Sequence, residues 1–179
     1  MRARLLGASA VIAAVLSIAG LARGQAPAPF TVARARLTQD GPQLVWSVTL
    51  NHAFAPAELG AGHRSLCLLI ERARGGSVAG ALCVGRNGAA LSYARVNDHG
   101  RGRAVAVPAT IARTGSTQLS ATFAASSIGL PYAPLRWQVE DGYSGGACSP
   151  ALTHKAAGCV ALYPAAPALL RLRSPIPAG

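Results

Sequence analysis

Along most of this chain apolar and polar residues alternate, and few stretches carry the three-to-four-residue period of a helix. The segment from Gln43 to His52 is the clearest case. Leu44, Trp46, Val48 and Leu50 fall on one face and Val45, Ser47, Thr49 and Asn51 on the other, the period of two that marks a half-buried strand. Thr117 to Phe123 repeats the pattern with Leu119, Ala121 and Phe123 inward, and Leu135, Trp137 and Val139 do so after the Gly129-Leu130-Pro131 corner. Arg103 to Pro108 alternates as well, and Leu169 to Arg173, bounded by Pro167 and Pro175, reads as a final strand. Asn51 to Gly62, with Pro56 and two glycines, reads as a loop with room for one helical turn around Ala57 to Leu59.

The middle of the chain reads as an antiparallel meander whose register can be worked out. If the Gly75-Gly76 turn closes a hairpin in which Ala73 faces Ser77, then Cys67 stands opposite Cys83, Leu68 opposite Leu82 and Leu66 opposite Val84. That register puts the large aliphatic side chains on one face and a disulfide on the other, and a shift of one residue would spoil both. Asn87-Gly88 is a strong hairpin signal, because a type I′ turn needs positive φ at both central residues. With Arg86 facing Ala89, Val84 meets Leu91 and Leu82 meets Tyr93, which extends the apolar face to a third strand. Asn97-Asp98-His99-Gly100 makes the next turn.

One long apolar run does not alternate. Arg2 and Arg4 precede the uncharged stretch Leu5 to Leu21, and Ala22-Arg23-Gly24 forms a small-x-small cleavage site, the layout of a secretory signal peptide. The expected organisation is a signal peptide at 1–24, a Pro/Ala linker at 25–29, a single domain at 30–174 and a short tail at 175–179. Cleavage leaves 179 − 24 = 155 residues, a length suited to one core. The expected location is secreted or extracellular, with membrane contact only through the signal during export.

Export changes the reading of the cysteines. Cys67, Cys83, Cys148 and Cys159 fall into two sequence-local pairs, and an oxidising compartment lets disulfides persist, so bridges Cys67–Cys83 and Cys148–Cys159 are expected. A zinc site would normally use closely spaced Cys knuckles, which these spacers of fifteen and ten residues are not. No metal or other cofactor is expected. The fold class that follows is all-β: an antiparallel β-sandwich, immunoglobulin-like or jelly-roll, with two disulfides, and a closed barrel as the alternative. Cys67 and Cys83 are too close in sequence to be the inter-sheet bridge of an immunoglobulin domain.

The run Phe123-Ala-Ala-Ser-Ser-Ile-Gly-Leu-Pro-Tyr-Ala-Pro-Leu-Arg-Trp-Gln-Val139, with the loop carrying Cys148 and Cys159 after it, resembles the C-terminal half of uncharacterised secreted β-sandwich proteins of high-GC Gram-positive bacteria. It is also loosely similar to the closing strands of DOMON-like and carbohydrate-binding β-sandwiches. The resemblance spans about a third of the mature chain; it implies a sandwich fold and no activity.

Charge and candidate chemistry then narrow the function. The formal net charge is +11, and loss of Arg2, Arg4 and Arg23 leaves fourteen basic against six acidic residues, near +8. Such a surface favours acidic partners, and for an exported protein an envelope polymer or a protein partner is expected rather than nucleic acid. All basic residues but Lys155 are arginine, a bias that a GC-rich genome also produces. Arg34 and Arg36 share a face of the first strand, and Arg171 and Arg173 a face of the last. They are either a joint site for carboxylate or phosphate or charges that keep edge strands from pairing. Tyr132 and Tyr143 sit in predicted loops on either side of the Trp137 strand and are the aromatic candidates for a ligand, whereas Trp46 and Trp137 are in phase with core positions.

Catalytic constellations are thin. Glu140 and Asp141 are adjacent and so point to opposite faces of a strand; a turn or solvated role is expected for them, as for Asp40 and Asp98. No H-E-x-x-H or G-x-S-x-G motif occurs. A triad of Asp141, His154 and a serine is the remaining arrangement for a secreted hydrolase. The expected function is a secreted, non-catalytic binding or interaction module, with a structural envelope protein as the alternative and an enzyme third.

Overall fold

A computed structural model describes residues 31–59, 64–73, 77–85, 88–97, 100–130, 133–143, 153–155 and 158–174. The expected signal, linker and tail, together with Tyr132 and Cys148, lie outside these residues. The described chain is all-β. In order its strands are β1 (Val32–Asp40), β2 (Gln43–Leu50), β3 (Arg64–Arg72), β4 (Val78–Val84), β5 (Leu91–Asn97), β6 (Gly100–Arg101), β7 (Val105–Val107), β8 (Ala109–Ala112), β9 (Gln118–Ala124), β10 (Pro134–Tyr143), β11 (Thr153–Lys155) and β12 (Gly158–Arg171). One antiparallel sheet has the order β1-β2-β9-β8; the other runs β11-β12-β10-β3-β4-β5-β6, with β7 also paired to β5.

The two sheets share one core. Leu44, Trp46, Val48, Leu119, Ala121 and Phe123 from the smaller sheet pack with Leu66, Leu68, Ile70, Leu82, Trp137 and Val139 from the larger. Trp46 and Trp137 are both buried there, and burying a side chain of Leu or Phe size contributes roughly 1.5–3 kcal/mol. The alternation of β2 and β9 shows directly as burial, whereas in β10 Gln138 and Glu140 are buried along with Trp137 and Val139. A 3₁₀ turn at Pro56–Leu59 buries Leu59 in this core.

The hairpin register holds through most of its length. Cys67 pairs with Cys83 and Leu68 with Leu82, and the cysteines form a disulfide with Cα atoms 4.0 Å apart. The ladder shifts beyond Ile70–Gly80, so that Glu71 faces Val78 rather than Ala79. Ala79 is thus an extra residue on β4, and the expected opposition of Ala73 and Ser77 is not part of the ladder. The next hairpin has the expected register, with Leu82 on Tyr93 and Val84 on Leu91; Gly88 has φ of 63° and its N–H donates to Gly85 O at 3.1 Å.

Two segments depart from the alternation reading. The expected strand from Arg103 to Pro108 is shorter, Val105–Val107, because Pro108 marks a crossing: Val107 pairs with Leu91 in one sheet and Ala109 with Phe123 in the other. The final strand begins at Gly158, not Leu169, and continues past two prolines. It does so through an irregularity in which Pro164 to Pro167 stand opposite the single residue Gln138. The buried Gln138 amide donates to Pro164 O at 2.9 Å and Ala165 O at 3.2 Å, supplying partners that the interrupted ladder does not.

Candidate functional site

The main concavity lies at the end of the fold where β3 gives way to β4. Its volume is about 970 Å³, at the upper end of ligand-site sizes. The floor is Ile70, Tyr93, Ile128 and Leu135, all buried core residues. Two glycines shape its surroundings. Gly80 lies beside Tyr93, and a β-carbon there would overlap the Tyr93 hydroxyl and the adjoining ring carbons, so the absence of a side chain at 80 makes room for the phenol end of Tyr93. Gly129 makes the opposite wall by ending the 3₁₀ turn Ala125–Ile128 in the left-handed region, φ 65°, which sends Leu130 back over the opening.

Two cations stand at this opening. Arg72 is the last residue of β3 and pairs with Leu135, and Arg95 on β5 pairs with Gly80. Both share the inward side of their strands with core residues, yet both are exposed because the sheet ends there. Neither guanidinium makes an ion pair among the described residues. The Tyr93 hydroxyl is held above its ordinary pKa by burial, with the Arg95 charge working the other way. It remains a neutral donor at the cavity floor. Glu71 is the one carboxylate among the lining residues.

The opposite end of β3 and β10 carries Asp141. Its side chain points inward next to Leu66, and burial pushes its carboxyl up to about 7 against the pull of the Arg64 charge. Its Oδ2 is buried without a hydrogen-bond partner among the described residues. Glu140 points to the outer face, where it pairs with Arg101. The same guanidinium approaches Cys67 Sγ at 3.6 Å and Cys83 Sγ at 3.7 Å. Under it lies a small second cluster of Cys67, Leu69 and Ala81, so Arg101 roofs the disulfide. The two adjacent acids do face opposite ways, but the solvated role expected for them does not hold: Glu140 is 7% exposed and Asp141 is mostly buried.

The residues singled out from the sequence are distributed differently. Arg34, Arg36, Arg171 and Arg173 are all exposed. Their strands adjoin: the Gln39 side chain donates to Arg173 O at 2.6 Å and accepts from Arg173 N at 2.8 Å, clamping the end of the chain to β1. Arg34 and Arg36 pair with Thr49 and Ser47 on the outer side of the smaller sheet, and Arg171 pairs with Pro134 in the larger. The two pairs therefore flank the seam between β1 and β12. Tyr143 ends β10, its backbone paired with Arg64 and Cys159, and its side chain lies outside the described residues. Cys159 and His154 are likewise described only in their backbone pairing. Tyr132 belongs to the segment between Leu130 and Ala133, which both line the cavity.

Tyr93, Arg72, Arg95 and Arg101 were not singled out from the sequence. For Arg95 a signal existed, since the hairpin register that sets Leu82 on Tyr93 also sets Arg95 opposite Gly80, on the same face as Tyr93. Among the described residues no group of three His, Cys, Asp or Glu side chains is placed to hold a metal ion. No helix among them is long and apolar enough to cross a membrane. Comparison with known proteins gives no match to any family model, curated protein or solved structure.

Proposed function

We propose that this chain is an exported, non-catalytic binding module that takes its ligand in the cavity between the ends of the two sheets. The observation that carries this reading is the cavity itself: about 970 Å³ of space with a buried apolar floor that includes Tyr93, and two guanidinium groups at its mouth without an ion-pair partner among the described residues. A concave site with an apolar floor and polar groups at its rim suits a small ligand. A structural envelope protein has no need of it. Export is supported by the charged, apolar and small-residue regions of 1–24 and agrees with a disulfide in the fold. The same reading takes the two sheets as a β-sandwich of immunoglobulin-like or jelly-roll kind, with a second bridge, Cys148–Cys159, supported by the sequence proximity of these two cysteines.

The test is two-dimensional NMR of the isotope-labelled exported protein against a panel of small organic fragments. Shifts confined to the residues around Tyr93 and Leu130, and lost in Ala133→Trp, support the cavity as the site. A panel that shifts nothing there overturns it.

A second reading has its own observation. Because Gln39 clamps Arg173 to β1, four exposed arginines border one seam, which suits weak, charge-driven association with an acidic envelope polymer. Such binding falls steeply between ~50 and ~200 mM salt. It should disappear when Arg34, Arg36, Arg171 and Arg173 are all replaced by Ser; salt-resistant binding that survives this change refutes it.

A further inference from the structure

Resting on the cavity reading, we infer that the ligand is a small amphiphilic anion: an organic acid whose carboxylate is held at the mouth by Arg72 and Arg95 and whose apolar body lies on Ile70, Tyr93, Ile128 and Leu135. The floor selects the body. It is aliphatic apart from Tyr93, which is only 8% exposed and has its hydroxyl end beside Gly80, so among the described residues it offers no exposed aromatic platform on which a sugar would stack. Hydrocarbon or a single aromatic ring fits; a glycan does not.

The mouth selects the head. Arg72 and Arg95 stand on β3 and β5 with β4 between them, and neither has an ion-pair partner among the described residues. Guanidinium groups are strong, geometrically specific donors to a carboxylate. Tyr93 adds a neutral hydroxyl, kept protonated at physiological pH by the burial that raises its pKa, and so donates to an oxygen rather than repelling it. Glu71, the one lining carboxylate, points to the outer side of β3 with Cys67 and Leu69 and leaves the two cations unopposed at the entrance. A cationic or neutral head would forfeit these donors.

Calorimetric titration of the exported protein with octanoate and 4-phenylbutyrate, each beside its alcohol and its amine, tests the assignment. The acid should bind more tightly than the alcohol, and the amine most weakly. Arg72→Gln and Arg95→Gln should each weaken the acid by about tenfold, the worth of a charge-assisted bond, and leave the alcohol unchanged. Ser77→Trp and Ala133→Trp, which fill the mouth from opposite sides and replace no buried side chain, should abolish binding of all three. Acid, alcohol and amine binding equally would overturn the anionic assignment and leave the cavity reading standing; no binding by any of them would overturn both. The same head and body occur in an anionic membrane lipid, and flotation with phosphatidylglycerol vesicles separates the sources. A free acid leaves the protein off the vesicles, whereas flotation lost in the Arg72→Gln/Arg95→Gln protein overturns the free acid in favour of the lipid.

Discussion

Replacing Asp141 by Asn should flatten part of the pH dependence of stability. In the folded protein burial holds the Asp141 carboxyl near 7, against an ordinary value of 3.8. A group whose pKa is raised by folding binds its proton more tightly in the native state than in the unfolded chain. Its favourable contribution is therefore complete below pH ~4 and is lost progressively as pH rises through 7. The shift of about three units, net of the opposing Arg64 charge, corresponds to about 4 kcal/mol at ~1.36 kcal/mol per unit, an upper bound because the site is not fully sealed. Asparagine keeps the volume and removes the ionisation. Urea unfolding of the disulfide-intact protein at pH 4, 6 and 8 should give nearly equal midpoints for the two proteins at pH 4, an advantage for Asp141→Asn that is already large at pH 6, and little further change between pH 7 and 8 because both states are then ionised, with unchanged slope. Because the remaining acids are common to both proteins, the difference isolates this one group. Parallel pH profiles would show that Asp141 ionises freely in the native state and refute the reasoning.

Arg101→Ala removes the partner of the 7%-exposed Glu140; we expect a loss of roughly 1–3 kcal/mol in urea unfolding and faster reduction of Cys67–Cys83 by dithiothreitol, and unchanged reduction would refute its role as a roof. Gln39→Ala deletes both bonds to Arg173 and should cost about 1–2 kcal/mol, with hydrogen exchange accelerated at Arg173 and not at Leu82. Non-reducing peptide mapping should recover Cys148 linked to Cys159; a Cys148 peptide alkylated without reduction would exclude the second bridge.

Much of the framework could be read from the chain because local rules and the tertiary core agree there. Leu44 to Leu50 and Leu119 to Phe123 alternate and are buried as they alternate, and Leu135, Trp137 and Val139 are buried as their phase predicts, although Gln138 between them is buried too. The Cys67–Cys83 register was legible because a disulfide and an apolar face both demanded it. What escaped has non-local causes. Alternation gives no notice that Pro108 carries the chain to another sheet, nor that Pro164 and Pro167 lie within a strand whose interrupted ladder is answered by a glutamine twenty-six residues away. The cavity was illegible for a related reason. It is built from the ends of strands and the turn Ile128–Leu130, which only the fold brings together. Arg72 and Arg95 look like ordinary polar punctuation until Leu135 and Gly80 are found opposite them. Arg34, Arg36, Arg171 and Arg173 were conspicuous because they repeat, and only the fold shows that they lie on either side of one seam.

The irregular stretch of β12 also bears on how this chain behaves in the company of its own copies. Among the described residues β11 covers β12 only from Gly158 to Val160; beyond that point no strand continues the ladder along that border of the sheet, although β1 packs beside part of it. Such a border is a template on which a second chain can grow, and exposed Leu162 and Leu169 would reward it. Pro164 and Pro167 have no N–H to offer, and the bulge between them throws the spacing out of step for four residues. An incoming strand would find no continuous run to copy, and the fold gains resistance to edge-to-edge polymerisation from the same residues that make its last strand look broken.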